Sequence, residues 1–101
     1  MNVSQIPTTF NSYSVTTATP VYVDVHGSAF PMTVTAIPGA SGSLSVFYST
    51  TNGAAQNPGS ANWLAWTAGT VSANTTDGLL APVCALKFTA ATSTGTVEVV
   101  S

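Results

Sequence analysis

The chain has 101 residues, the length of one domain, and 45% of them are hydrophobic whereas only 4% are charged. Globular domains usually carry about 25% charged residues, so a surface of this composition does little to keep neighbouring copies apart. Lys87 is the single basic residue, which argues against nucleic acid or an anionic membrane surface as a partner, and no apolar run approaches the roughly 20 residues that span a bilayer.

Two further features bear on the cellular compartment. Cys84 is the lone cysteine, so the fold must hold without an internal disulfide. Residues 1–7 show neither the basic start nor the apolar stretch of a secretory signal. We therefore expect a complete cytosolic product.

Alternating apolar and polar residues predict short strands throughout the first half of the chain. Residues 1–11 contain Pro7 and little alternation, so we expect a possible N-terminal arm there and a single domain over 12–101. In the second predicted strand the valines share one face, and Tyr22, Asp24 and His26 share the other. The strands predicted in this half cover residues 12–17, 21–25, 32–36 and 43–48, with Phe47 on an outer face.

The second half of the chain is predicted to alternate loops with strand pairs. Residues 50–62 lack periodicity and contain two turn signals, which indicates a long exposed loop. The final hairpin has the clearest pattern, and it directs Lys87 and Glu98 outward. The remaining predictions are a strand pair at 63–67 and 70–74 around Ala68-Gly69, a second loop at 75–82, and a closing hairpin at 84–90 and 96–100.

These elements predict an all-β fold. Seven or eight short strands with no helix to cover a single sheet favour an antiparallel β-sandwich. A small β-barrel is the alternative, because strand spacing does not separate the two architectures.

Catalytic and metal-binding interpretations depend on few residues. Asp24 and His26 lie on one face of a strand, as a carboxylate that orients an imidazole would, but no nucleophile motif accompanies them. Cys84 is in phase with Leu86 and Phe88, which predicts a buried, inert thiol. We therefore expect no catalytic, cofactor-binding or metal site, and no enzymatic activity.

The aromatic residues allow a different interpretation, a platform for sugar rings of the kind that carbohydrate-binding modules use. In a domain this small a tryptophan more often fills the core, so Trp63 is expected to anchor the core and Trp66 to contribute less. The candidate platform residues are Trp63, Trp66, Tyr13, Tyr22 and Tyr48.

An ordered series of strands and turns resembles a group of small bacteriophage virion proteins. The series runs from about Met32 to the C-terminus, and residues 1–31 have no counterpart in it. It comprises Gly42-Ser43-Leu44-Ser45-Val46, Asn52-Gly53, Asn62-Trp63, Ala68-Gly69-Thr70-Val71, Asp77-Gly78, the stretch from Pro82 to Ala90, and Gly95-Thr96-Val97-Glu98-Val99.

The resemblance implies a non-enzymatic structural protein of a virion that is assembled in the host cytoplasm. A capsid decoration, or cement, protein is the first expectation, and a tail or baseplate component is the alternative. A cell-surface glycan-binding module is the second alternative, from the aromatic residues. The implied partners are the major capsid protein or tail proteins, together with copies of this chain, for which we expect a trimer.

Overall fold

A computed structural model describes residues 10–25, 31–79 and 83–101 of the chain. Eight strands and one 3-10 helix, Pro58–Ser60, lie in these ranges. The strands are β1 (Phe10–Val15), β2 (Val21–Asp24), β3 (Met32–Ile37), β4 (Ser43–Ser49), β5 (Leu64–Ala65), β6 (Thr75–Leu79), β7 (Ala85–Ala91) and β8 (Gly95–Val100).

The strands form two four-stranded antiparallel sheets that pack face to face. The first sheet has the order β1-β8-β3-β6, and the second has the order β2-β7-β4-β5. The sheets are not closed into a barrel, so the predicted all-β sandwich is confirmed and the barrel alternative is wrong.

The first strand pairs with the last one, so the first sheet joins the two ends of the described chain. Phe10 lies opposite Val100 and Val15 lies opposite Gly95. Because β1 begins at Phe10, residues 10 and 11 belong to the domain rather than to the expected arm. The rest of that arm, residues 1–9, lies outside the described residues.

The predicted closing hairpin is wrong, because β7 and β8 belong to different sheets. The connection crosses the sandwich with Thr92 in the left-handed region, at φ 74°. Gly95 then passes so close to Leu44 that an added Cβ would lie 2.8 Å from the Leu44 Cδ1 atom. Both strands have the alternation of a hairpin because each turns its apolar side to the shared core, which the sequence pattern alone does not distinguish.

The loop predicted at 75–82 is also wrong over its first five residues, which form β6 at the edge of the first sheet. Thr76 pairs with Thr35, and the two hydroxyl oxygens lie 2.9 Å apart. The Asp77-Gly78 pair, which resembles a turn, is accommodated because an edge strand tolerates glycine and an Asp77 oxygen accepts a hydrogen bond from the Gly78 N–H.

The strand pair predicted around Ala68-Gly69 does not form. Both segments pair instead with the same edge of β4. The first does so through β5, and the second through a single bridge between Val71 and Leu44. The backbone N–H of Trp66 donates to the Val46 carbonyl between them. Residues 64–71 therefore make an interrupted edge strand, and the interruption lets the Trp66 side chain turn into the core.

The core lies between the sheets and follows the period-two pattern of the strands. Tyr13 of the first sheet contacts Phe88 of the second, with ring centroids 5.7 Å apart. The apolar side chains buried in this core include Val15, Met32, Val34, Ala36, Leu44, Val46, Trp66, Leu86, Phe88 and Val97.

Candidate functional site

A row of three side chains crosses the outer face of the second sheet. The register places Tyr22 of β2 and Phe47 of β4 on either side of Lys87 of β7. Residues paired across antiparallel strands have their side chains about 5 Å apart, so these three form one continuous surface. The predictions that Phe47 and Lys87 face outward are confirmed.

Trp63 packs against this row of side chains on the outer face. Its ring centroid lies 5.6 Å from that of Tyr22, with an angle of 44° between the ring planes. The Lys87 Nζ atom lies 5.2 Å from the centroid of Phe47 and 6.0 Å from that of Trp63, within the range of cation–π attraction. We call Tyr22, Phe47, Trp63 and Lys87 the aromatic cluster.

The segment from Thr50 to Trp63 folds over one end of the same face and holds Trp63 in place. The Trp63 Nε1–H donates to the Pro58 carbonyl at 3.1 Å, and the Gln56 amide nitrogen donates to an Asp24 carboxylate oxygen at 2.8 Å. Beneath this segment, Ser49 and Ala85 occupy outer-face positions and yet are fully buried. The predicted loop is confirmed, because residues 50–62 contain no strand and most of them are exposed, although Ala54 is buried.

The structure divides the five candidate platform residues between two places. Tyr22 and Trp63 meet in the aromatic cluster, whereas Tyr13 packs against Phe88 in the core, where burial raises the pKa of its phenol above the usual value. Tyr48 also packs against the core.

The expected roles of the two tryptophans are reversed. Trp66 is only 3% exposed and its Nε1–H donates to the Gly69 carbonyl, whereas Trp63 is half-buried on the outer face. The prediction of Trp63 as the core anchor is wrong because the chain turns at 66–69, and this turn depends on Gly69 at φ 68°.

The Asp24–His26 pair is described only in part, since His26 lies outside the described residues. Asp24 sits on the exposed outer face of β2 and accepts the hydrogen bond from Gln56. Among the described residues, no three histidine, cysteine, aspartate or glutamate side chains gather closely enough to hold a metal ion.

The prediction of a fully buried Cys84 is wrong. The residue precedes β7 and is half-buried at the end of the sandwich, where its sulfur lies 3.6 Å from the Thr50 carbonyl oxygen. Its backbone joins two neighbours, because the N–H donates to Ser49 and the carbonyl accepts from Val25. Leu86 and Phe88 follow the same alternation and are buried. Cys84 lies before the first residue of the strand, where the core covers it only in part.

The outer face of the first sheet has a different composition. Glu98 lies at its centre between Ser12 and Thr35, and the prediction that it points outward is confirmed. Phe10, which is 58% exposed, lies beside Val100 on the same face. The residues at outer-face positions are Phe10, Ser12, Ser14, Thr33, Thr35, Ile37, Thr76, Gly78, Thr96, Glu98 and Val100.

A small cleft lies where the β1–β2 connection meets β7. Its volume is about 110 Å³, below the roughly 300 Å³ at which clefts begin to enclose small organic ligands. It is lined by Thr16, Thr17, Thr19, Pro20, Thr89 and Ala90, none of which ionises.

Comparison with known proteins gave no match to a family model, a curated protein or a solved structure. The described part of the chain contains no helix with the length and apolar character needed to cross a membrane.

Proposed function

We propose that this chain is a non-enzymatic structural protein of a bacteriophage virion, and specifically a capsid decoration protein that binds the major capsid protein. The observation that carries the proposal is the composition of the two outer faces of the sandwich. Each face has one charged side chain at its centre, Lys87 or Glu98, with aromatic, aliphatic or hydroxyl side chains around it, and among the described residues Asp24 is the one further charge, at the β2 edge of the second face. Faces of this kind lose little solvation energy on binding protein.

The sheet edges support the same proposal. Edge strands are normally protected by charged side chains, and the four edges here are β1, β2, β5 and β6. Among the described residues, Asp24 and Asp77 are the only charged residues on these strands, and each carboxylate already accepts a hydrogen bond. A small domain with such edges is suited to a stable complex with other proteins.

The sequence resemblance to small virion proteins adds the setting, a particle assembled in the host cytoplasm. Particle surfaces repeat the same contact many times, so individually weak contacts hold a small domain firmly. We propose a trimer, because threefold positions on a capsid allow one oligomer to contact several subunits. A tail or baseplate component is the alternative within this class.

Deletion of the gene tests the proposal. Particles that lack a decoration protein should assemble, lose their genome at a lower temperature than complete particles, and recover when the purified protein is added. Failure of assembly would indicate the tail alternative, and unchanged particles without binding of the added protein would refute a virion role.

The aromatic cluster supports a second candidate function, recognition of cell-surface glycans. Sugar rings stack on aromatic faces, and Tyr22 and Trp63 lie beside polar groups of Gln56 and Asp24 that can orient hydroxyls. Glycan-array binding by the native protein should be lost in Trp63→Ala and kept in Phe10→Ala, which removes an aromatic ring from the opposite face. An array without binding would remove this candidate.

A further inference from the structure

The only lysine of the chain and one of its three acidic residues occupy equivalent places on opposite faces of the sandwich. Lys87 lies on β7, an inner strand of the second sheet, and Glu98 lies on β8, an inner strand of the first sheet. Each is flanked on both sides by paired strands, so each charge is at the centre of its face.

Neither charge is neutralised within the part of the chain that the structure describes. Both side chains are half-buried, and neither takes part in an ion pair with another described residue. The contacts of the Lys87 ammonium are with the faces of Phe47 and Trp63, which leave its three hydrogen-bond donors available. A half-buried charge without a partner gains from a counter-charge that arrives with a binding surface.

The surroundings of the two charges are complementary. Aromatic rings lie beside Lys87, and they favour a partner with a carboxylate among apolar groups. Glu98 is flanked directly by Ser12 and Thr35, and apolar side chains lie farther out on the same face, namely Val100, Phe10 and Ile37. Among the described carboxylates, Asp24 is engaged by Gln56 and Asp77 by Gly78, which leaves Glu98 as the acidic centre of a face.

We propose that the outer face of the second sheet binds the outer face of the first sheet in another copy of this chain, with Lys87 of one copy paired to Glu98 of the next. This inference deepens the proposed function, on which its biological setting rests. The contact joins two different surfaces, so it is head-to-tail and closes into a ring or continues as a stack.

The size of the faces predicts how strong this contact is. In the first sheet, four strands spaced about 4.8 Å apart and five or six residues long at about 3.3 Å each give a face of roughly 400 Å². Two strands of the second sheet are shorter, so a pair of faces buries at most roughly 800 Å² in total, below the 1,200 Å² or more of stable complexes. One contact is therefore weak, and assembly requires closure of a ring or support from a particle.

Charge exchange between the faces tests the proposal on the purified protein by sedimentation velocity from low micromolar to millimolar concentration. The native chain should associate increasingly with concentration and less in high salt, because the central pair is ionic. Lys87→Glu and Glu98→Lys should each weaken association by about tenfold or more, since each places like charges opposite one another. An equimolar mixture of the two variants should associate again, because each then meets the opposite charge.

Asp77→Lys is the matched control for Glu98→Lys, because it changes the net charge equally at an edge strand and leaves both outer faces unaltered. It should associate as the native chain does. Circular dichroism establishes whether each variant is folded. If a charge-reversed variant is not folded, the neutral variant at the same position, Lys87→Gln or Glu98→Gln, takes its place.

Three results would overturn the proposal. One is a native chain that stays monomeric at millimolar concentration, and another is a mixture that fails to regain association. The third is an effect of Lys87→Glu without an effect of Glu98→Lys, which would indicate that the aromatic cluster binds itself, a glycan or a different protein. Binding to particles that lack the protein is measured separately, so a virion role survives or fails independently of this contact.

Discussion

The two sheets are built from similar residues, but their outer faces are covered differently. In the first sheet four strands of five or six residues lie side by side, and the outer face consists of the strands alone. In the second sheet the last strand has two residues, and the segment leading to it folds over the face to carry Trp63 onto Tyr22. An interrupted edge strand therefore allows the chain to build an aromatic cluster on one face only.

The largest expected effect separates the two tryptophans of this interrupted region. Trp66→Ala should lower the free energy of unfolding by about 3–5 kcal/mol, because the buried ring fills the space between the sheets. Trp63→Ala should cost about 1–2 kcal/mol, because its half-buried ring loses less contact. Urea denaturation of both variants measures the difference, and equal losses would show that the two rings are equally buried.

A smaller effect is expected where Gly95 of the first sheet lies against Leu44 of the second. Gly95→Ala should destabilise by about 1–3 kcal/mol, since the new methyl group would meet both Leu44 methyl groups within 2.9 Å. Gly59→Ala is the matched control, because no atom lies within 4 Å of its added Cβ, and it should change stability by less than about 0.5 kcal/mol. A neutral Gly95→Ala in urea denaturation would contradict the close approach of the sheets.

The segment that covers the second sheet should loosen when its hydrogen bond to the sheet is removed. Gln56→Ala should speed backbone hydrogen exchange over residues 54–63 and cost about 0.5–1.5 kcal/mol, because Asp24 loses its charge-assisted donor. Asn57→Ala is the matched control, since the Asn57 side chain makes no capping hydrogen bond to the short helix that follows it. Unchanged exchange in Gln56→Ala would show that this hydrogen bond does not hold the segment against the sheet.

The smallest expected effect concerns alkaline pH and the inner face of the first sheet. Burial raises the pKa of Tyr13 when the chain folds, so the folded state holds the phenolic proton more tightly than the unfolded state does. The resulting stability is complete below about pH 10, the ordinary tyrosine pKa, and is lost as the pH rises through the raised value. Tyr13→Phe should therefore lose less stability than the native chain between pH 9 and 11, as measured by urea denaturation at each pH. An identical loss would contradict burial of this phenol.

The sequence predicted the strands that alternate cleanly. Four strands of the first half were placed within two residues of their observed bounds, and the outward directions of Phe47, Lys87 and Glu98 were correct. These predictions succeeded because alternation reports which face of a strand is buried, and each such strand has one face on the core.

The pairing of the strands was not predictable in the same way. Alternation is identical for a hairpin and for two strands on opposite sheets, so β7 and β8 looked like neighbours. The Asp77-Gly78 pair looked like a turn, because the sequence does not show that β6 lies at a sheet edge, where a strand tolerates glycine. The reversal of Trp63 and Trp66 has the same origin, since the turn at Gly69 decides which ring enters the core.

The aromatic cluster could be predicted only in part. Tyr22 and Trp63 were among the candidate platform residues, but the contribution of Phe47 and Lys87 follows from the β2-β7-β4 order. The signal that was available is a lysine between apolar neighbours on one strand and an outward phenylalanine on another. Only the register joins them into one row.

We propose that the outer faces of this sandwich bind other proteins of a virion. If a phage gene cluster encodes the chain, quantitative mass spectrometry of purified particles of that phage tests this proposal. A decoration protein should be present in a fixed ratio to the major capsid protein, in tens of copies or more, as expected for a contact repeated over the particle. Absence of the protein from such particles would refute the proposed virion role.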